Sequence, residues 1–259
     1  MFGPRYLYCG IESVAETMPT IVEAGLGIEV VFDDTTNIWP QMRWENLLEV
    51  ADLIHEAGIE AAVHGPFHGI NLGSRDPNIR EISLQMLMSA LEFARAVRSP
   101  QMVVHSGFVP QYAPKGRAKW IDQFCANVEP LLERAGVLEV RVALENTYEQ
   151  DTSLFAEIFE RIPNPVLGMC LDTGHATCFS HVDSVEWPRR FAERISHVHC
   201  SDNDGQDDLH WGLGKGVVKF AELLRPLRSI GAFATVTFEV APADALGARE
   251  YFDDLIRRL

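Results

Sequence analysis

The sequence predicts an α/β fold: a (β/α)8 TIM barrel that forms one domain over residues 1–259. Three observations predict it. Eight short apolar runs alternate with eight longer amphipathic stretches along the chain. No Pro/Gly/Ser-rich linker interrupts the series. The length, 259 residues, matches the ~250 residues in which eight βα units close a barrel.

The apolar runs come in this order: LYCGI (7–11), GIEVVF (27–32), EAAVHG (60–65), QMVVHS (101–106), VRVALEN (140–146), LGMCLD (167–172), SHVHCS (196–201) and TVTFEV (235–240). Each is short and rich in β-branched or small residues, the pattern of a parallel strand buried on both faces. Helical patterns lie between them at 12–24, 44–57, 78–97, 118–135, 153–161, 184–193, 217–229 and 243–258. Gly25, Gly58, Gly136 and Gly231 follow four of these helices, where a left-handed cap residue is expected. The rival architecture, a doubly wound open sheet, wants a Gly-rich phosphate loop after the first strand, and CGIES is not one.

Composition narrows the partners. Hydrophobic residues make up 47% and charged residues 23%, ordinary for a globular chain and unlike a disordered one. With 22 Lys and Arg against 37 Asp and Glu, the net charge is −15, which repels a polyanion unless basic residues cluster. The opening MFGPRYLYCGIES carries no long apolar run, so no signal peptide is expected, and no stretch approaches the ~18 apolar residues of a membrane span. Cys9, Cys125, Cys170, Cys178 and Cys200 are odd in number and follow no disulfide or metal spacing. They read as reduced thiols of a cytoplasmic protein.

In such a barrel the chemistry sits at the C-terminal ends of the strands. There the third run ends in His64, the fourth in His105, the fifth in Glu145, the sixth in Asp172, the seventh in His199 and the eighth in Glu239. All six are ligand types for divalent metals. Strand side chains alternate faces. Leu144, Leu171 and Phe238 therefore face the helices, and the carboxylates face the axis above Ala143, Cys170 and Thr237. His197 shares the face of His199 one layer deeper. Lone buried carboxylates are strongly unfavourable, and a shared cation resolves them. Three loop residues extend the set: His175, three positions past Asp172, and the pair Asp208 and His210, which an extended loop can turn toward one ion.

The segments GIEV, VHGPFHGINLG, VVHSG, ALENT, CLDTGHA, HVHCSD, DLHWGLGKG and TFEV, in that order, resemble the xylose isomerase-like TIM-barrel superfamily over nearly the whole chain. That superfamily includes sugar isomerases, ketose 3-epimerases, hydroxypyruvate isomerases, inosose dehydratases and the endonuclease IV type of abasic-site nuclease. The resemblance implies one of two sites. In the epimerase-like site a single Zn, Mn, Mg or Co ion is held by Glu145, Asp172, His199 and Glu239. Glu145 and Glu239 double as the catalytic acid and base through an enediolate, and His175 touches the substrate. In the nuclease-like site that ion is joined by a second on His64, His105 and a bridging Glu145, and a third on His175, Asp208 and His210. One divalent ion leaves the three carboxylates net negative, which suits a neutral sugar. Three ions over four carboxylates leave the site net positive, which suits a phosphodiester.

The loops favour a small sugar or sugar phosphate over nucleic acid. CSDNDGQDDLHWGLGKG is acidic apart from Lys215, and TCFSHVDS has no Lys or Arg. Only YAPKGRAKW, with Lys115, Arg117 and Lys119, is basic, short of the stripe that duplex binding needs. Trp39 and Trp211 are expected to wall a sugar pocket, and Lys215 is a candidate for a substrate phosphate. The expectation is thus a metal-dependent sugar isomerase or epimerase, with the trinuclear zinc phosphodiesterase as alternative. A non-catalytic sugar-binding barrel is disfavoured because a retired site need not keep its carboxylates. Barrel helices on the surface leave a homo-oligomer open.

Overall fold

In the computed structural model the chain is described over residues 2–32, 43–110 and 114–259. The strands are β1 (Phe2–Gly10), β2 (Gly27–Val31), β3 (Ala61–His64), β4 (Gln101–His105), β5 (Arg141–Glu145), β6 (Leu167–Asp172), β7 (Ile195–Cys200) and β8 (Ala234–Phe238). They pair in parallel, in chain order, and β1 closes the barrel on β8. The helices are α1 (Val14–Glu23), α2 (Trp44–Ala57), α3 (Pro77–Ala96), α4 (Pro114–Leu138), α5 (Ser153–Arg161), α6 (Thr173–Cys178), α7 (Glu186–Phe191), α8 (Phe220–Ser229) and α9 (Ala245–Arg258).

The alternation of side chains splits the core in two. Val30, Val63, Val104, Leu144, Leu171, Val198 and Phe238 join the large cluster packed against the helices. Val103, Ala143 and Cys170 form a separate small cluster inside the barrel. Small residues below thus leave room for the ligand-type residues above, as the period-two reading requires.

Four local differences from the sequence reading have physical causes. First, β1 begins at Phe2, five residues before the apolar run, because Gly3 and Pro4 are tolerated at a strand start. Second, Gly25, Gly58 and Gly231 adopt positive φ as expected, but Gly136 lies inside α4, which runs on to Leu138; Glu139 takes the left-handed turn there instead, at φ 58°. Third, α6 is a six-residue helix where only a loop was expected; it is too short to show a helical period. Fourth, α4 starts at Pro114, so Lys115, Arg117 and Lys119 belong to a helix rather than a loop, and Arg117 pairs with Glu157 at 2.7 Å.

The five cysteines are free thiols. Among the described residues no helix is long and apolar enough to cross a membrane.

Candidate metal centre

Strand register brings the candidate ligands level. His105 is paired with Glu145 across β4 and β5, and Asp172 with His199 across β6 and β7. The Glu239 N–H continues the β7–β8 ladder by donating to the Cys200 carbonyl at 3.1 Å. The loop ligands arrive by two devices. Asp172 caps α6, its Oδ1 accepting the His175 N–H at 2.6 Å, so one helical turn swings His175 back over the barrel mouth. Gly174 is needed in that turn, because a Cβ there would stand 2.7 Å from the Ser201 hydroxyl. Asp202, 1% exposed, accepts four backbone N–H groups, from Asn203, Gly214, Gly216 and Val218, at 2.9–3.0 Å. This cage folds the segment that carries Asp208 and His210.

All nine candidate ligands converge. Glu145, 1% exposed, is the hub. Its Oε2 lies 3.0 Å from His64 Nε2 and 3.2 Å from His105 Nε2. Its Oε1 lies 3.2 Å from His175 Nδ1 and 3.5 Å from His199 Nδ1. Glu239 Oε1 is 3.2 Å and Asp172 Oδ2 is 3.8 Å from His199 Nδ1. Asp208 Oδ2 joins His175 Nε2 at 3.2 Å to His210 Nε2 at 2.8 Å. Ligand-type atoms gather within 4.8 Å of one another in His64/His105/Glu145, in His175/Asp208/His210, and in Asp172/His199/Glu239.

The protons of three imidazoles show what this arrangement suits. His64 Nδ1–H donates to the Gly65 carbonyl at 2.7 Å, and His175 Nδ1–H to the Asn146 carbonyl at 3.0 Å. A carbonyl oxygen only accepts, so Nδ1 carries a proton in each, and in the neutral imidazole Nε2 offers a lone pair. That lone pair faces a carboxylate oxygen in each case, Glu145 for His64 and Asp208 for His175. His199 does the reverse, donating Nε2–H to Glu29 at 3.2 Å and leaving a buried Nδ1 without a hydrogen-bond partner. Asp172 Oδ2 and Asp208 Oδ1 are likewise buried and unpartnered. With neutral imidazoles these acceptors face acceptors in a largely buried site, which is costly unless a proton or a cation lies between them. The donor set of imidazole nitrogens and carboxylate oxygens fits divalent cations, and a cation at a given cluster would satisfy that cluster's atoms.

The electrostatics agree. Burial pushes the Asp172 carboxyl well above its ordinary range; His175 opposes this, while Glu239, Glu145 and Asp208 add to it. Burial works on Glu145 in the same direction, but His199, His105 and His175 outweigh it and hold that carboxyl well below the usual range. In the ion-free protein protons stand in for the cation: Asp172, Asp208 and Glu145 around His175, and Cys170 with Glu239, Glu145 and Glu29 around His199, overcome burial and raise both imidazoles well above the ordinary value, so a cation would displace a proton from each. Among the described residues no Lys or Arg pairs with Glu145, Asp172, Asp208 or Glu239; their ion-pair partners are imidazoles.

Above this floor opens a cavity of about 320 Å³. Glu145, Glu239, His64, His105, His175, Asp208 and His210 line it, with Tyr8, Phe67, Phe108, Val109 and Tyr148 as walls. Asp172 and His199 lie deeper. Of three residues expected at the substrate, two do not line the cavity and the third is not among the described residues. Lys215 points away from the cavity and pairs with Asp244 at 2.5 Å, because its GLGKG segment wraps the Asp202 carboxylate instead of a phosphate. Trp211 is tied by its backbone to Asp202, is 40% exposed and does not line the cavity. Trp39 lies outside the described residues.

Two polar residues were missed by the sequence reading. Asn146 clamps the mouth, donating from Nδ2 to the Asp172 carbonyl at 3.0 Å and accepting the Asp172 N–H at 2.9 Å. Glu29 lies beneath His199, fully buried. A carboxylate between Ile28 and Val30 in an apolar run was the available signal.

Comparison with known proteins agrees with this architecture. The sequence profile of the family described as xylose isomerase-like TIM barrel matches residues 21–258. A Thermus thermophilus protein, solved after soaking with ZnCl2, superposes with a TM-score of 0.83 at 26% identity, over 99% of both chains. A D-tagatose 3-epimerase-like protein superposes with a TM-score of 0.83 at 25% identity, over 98% of this chain and 97% of that one. An uncharacterized protein of Methanocaldococcus jannaschii is 28% identical over 92% of this chain and 83% of its own length. A probable endonuclease 4 of Mycobacterium leprae is 26% identical over 70% of this chain and 74% of its own.

Proposed function

The chain belongs to the xylose isomerase-like TIM-barrel family, and from that premise we propose that it is a divalent-metal-dependent isomerase or epimerase of a small sugar or sugar phosphate. The observation that carries this reading is that Glu145 and Glu239 approach the same nitrogen, His199 Nδ1, at 3.5 and 3.2 Å while both line one cavity. Two carboxylates at one site can remove a proton and return it. Likeness to a D-tagatose 3-epimerase-like protein supports the reading.

Glu145, Asp172, His199 and Glu239 would hold the ion. Zn, Mn, Mg or Co there polarises carbonyl and hydroxyl oxygens as a Lewis acid. One glutamate, ionised, would take the proton from the carbon beside the carbonyl, and the other, protonated from solvent, would give its own proton to that carbon, leaving the two carboxyl groups with their protonation states exchanged. His175, at the cavity edge, orients a substrate oxygen. Phe67, Phe108, Val109 and Tyr148 would give the substrate an apolar wall, and the cavity is of small-molecule size. Among the described residues no Lys or Arg lines the cavity, which favours a substrate that is neutral at its reacting end.

The test is solvent exchange. Metal-loaded enzyme is incubated in D2O with a panel of ketoses and their phosphates. The reading expects deuterium beside the carbonyl of at least one substrate, and its loss in Glu145→Gln and Glu239→Gln. No incorporation with any member of the panel overturns it.

A second reading, phosphoester hydrolysis at a trinuclear zinc centre, is favoured by one specific observation. His64/His105/Glu145 and His175/Asp208/His210 each converge as additional ligand sets, and a curated relative is a probable endonuclease 4. About three zinc ions per chain, with cleavage of abasic-site duplex or of bis(p-nitrophenyl) phosphate, would select it over the first.

A further inference from the structure

Beneath the candidate metal centre the barrel holds a second polar layer. Its middle is Glu29, on β2, with no exposure to solvent. Glu29 Oε1 accepts from His199 Nε2 at 3.2 Å. Its Oε2 accepts from His197 Nε2 at 2.8 Å and from the Thr237 hydroxyl. The opposite edge of His197 is held too: its Nδ1 meets the Thr235 hydroxyl at 2.7 Å and the Gln101 amide. The Gln101 amide N–H can only donate, so Nδ1 of His197 is the acceptor and Nε2 carries the proton. His197 is thereby committed to donating to Oε2, and Oε1 is left for His199.

We propose that Glu29 is a positioning residue for the metal centre: it locks His199 as the Nε2–H tautomer and so aims the Nδ1 lone pair at the floor shared by Glu145, Asp172 and Glu239. This rests on the metal-centre reading, which both functional readings share. The aim is visible in the distances from Nδ1, which are 3.2 Å to Glu239, 3.5 Å to Glu145 and 3.8 Å to Asp172, with no hydrogen-bond partner among them. His64 and His175 are anchored differently, each donating to a backbone carbonyl. No side-chain substitution removes those anchors. His199 depends on a carboxylate that is 170 positions away in sequence. A carboxylate behind a metal-binding imidazole fixes its orientation and raises its basicity, and losing such a partner typically weakens binding by about 10–100-fold.

Glu29→Gln is the informative substitution, because the amide keeps the shape and offers one accepting oxygen instead of two. Its NH2 must face either His199 or the His197–Thr237 pair, and His199 can escape that donor-to-donor contact by moving its proton to Nδ1. Zinc is the probe. Its affinity for wild type and Glu29→Gln is measured by competition with a chromophoric chelator, with circular dichroism as the check on folding. In parallel, 15N-histidine NMR of the zinc-loaded wild-type protein reports which His199 nitrogen carries the proton. The proposal expects a proton on Nε2 and an affinity at the His199 ion lowered about 10–100-fold in the folded variant. Equal zinc affinity in folded Glu29→Gln overturns it, as does a proton on Nδ1 in wild type. If the variant does not fold, the wild-type spectrum decides alone. Wild-type protein that binds no zinc removes the metal-centre reading as well, an outcome distinct from zinc binding that is indifferent to residue 29.

Discussion

Asp202 Oδ2 accepts the backbone N–H of Gly216 at 2.9 Å, across a contact so close that a Cβ on Gly216 would stand 2.1 Å from the Asn203 carbonyl oxygen. The acidic loop after β7 is therefore a folded cage, and its centre is a carboxylate that never meets the substrate cavity. Asp202→Ala strands several buried N–H groups at once. We expect it to cost about 2–4 kcal/mol of stability and to loosen the placement of Asp208 and His210, weakening any zinc they hold. Gly216→Ala should do the same through the clash. Thermal unfolding and zinc titration check both; an unchanged melting temperature in Asp202→Ala would refute the cage.

Glu145 stands within 3.5 Å of four imidazoles. Glu145→Gln halves its accepting capacity and removes its charge. Turnover should fall by at least ~100-fold, and bound metal should fall by at least one ion per chain where more than one is present. Elemental analysis beside the exchange assay measures both.

Removing metal should cost stability as well as activity. Nine ligand-type side chains meet with buried, unpartnered atoms among them, so the ion-free protein carries the full cost of the crowding. At a zinc concentration ~1,000 times the dissociation constant, the stabilisation is about 4 kcal/mol. Dialysis against a chelator should lower the melting temperature, and zinc should restore it. A melting temperature indifferent to chelation would mean that the carboxylates are not gathered by a cation.

Glu149 supplies a pH dependence. Burial raises its carboxyl above the ordinary value, against hydrogen bonds from the Ser106 hydroxyl and the Thr147 N–H. The folded pKa exceeds the unfolded one, so the folded state prefers the neutral acid. That contribution is complete below the ordinary carboxylate pKa of about 4.3 and is lost as pH rises through the raised folded value. Wild type should therefore lose stability relative to Glu149→Gln as pH climbs across that window. Denaturant midpoints of the two proteins, measured at several pH values, give the difference.

Lys215 and Trp211 should be dispensable for turnover. Lys215 is more than half exposed and its pair with Asp244 is of the surface kind, worth about 0–1 kcal/mol. Lys215→Ala and Trp211→Phe should leave kcat/KM within about twofold. A tenfold loss in Lys215→Ala would return that residue to the substrate.

The legible part of the site was the part written in local pattern. His64, His105, Glu145, Asp172 and His199 end their strands and Glu239 follows β8, and period-two alternation placed them on the axis face without reference to the rest of the chain. Glu29 escaped because it lies mid-strand rather than at a strand end, and its partners are 168 and 170 positions away. Lys215 lies off the cavity for the opposite reason. GLGKG looks like a phosphate turn locally, yet its N–H groups are taken by Asp202.

The amino-acid sequence alone determined the (β/α)8 order, the strand faces and the residue types brought to the barrel mouth. These follow from periodicity and turn chemistry within each βα unit. Tertiary structure decided which nitrogens of His64, His175 and His199 are anchored, which carboxylate cages a loop and which lies under the floor. Those outcomes depend on hydrogen bonds between strands far apart in sequence. Only barrel closure and register bring those partners within reach, and short-range pattern carries no record of them.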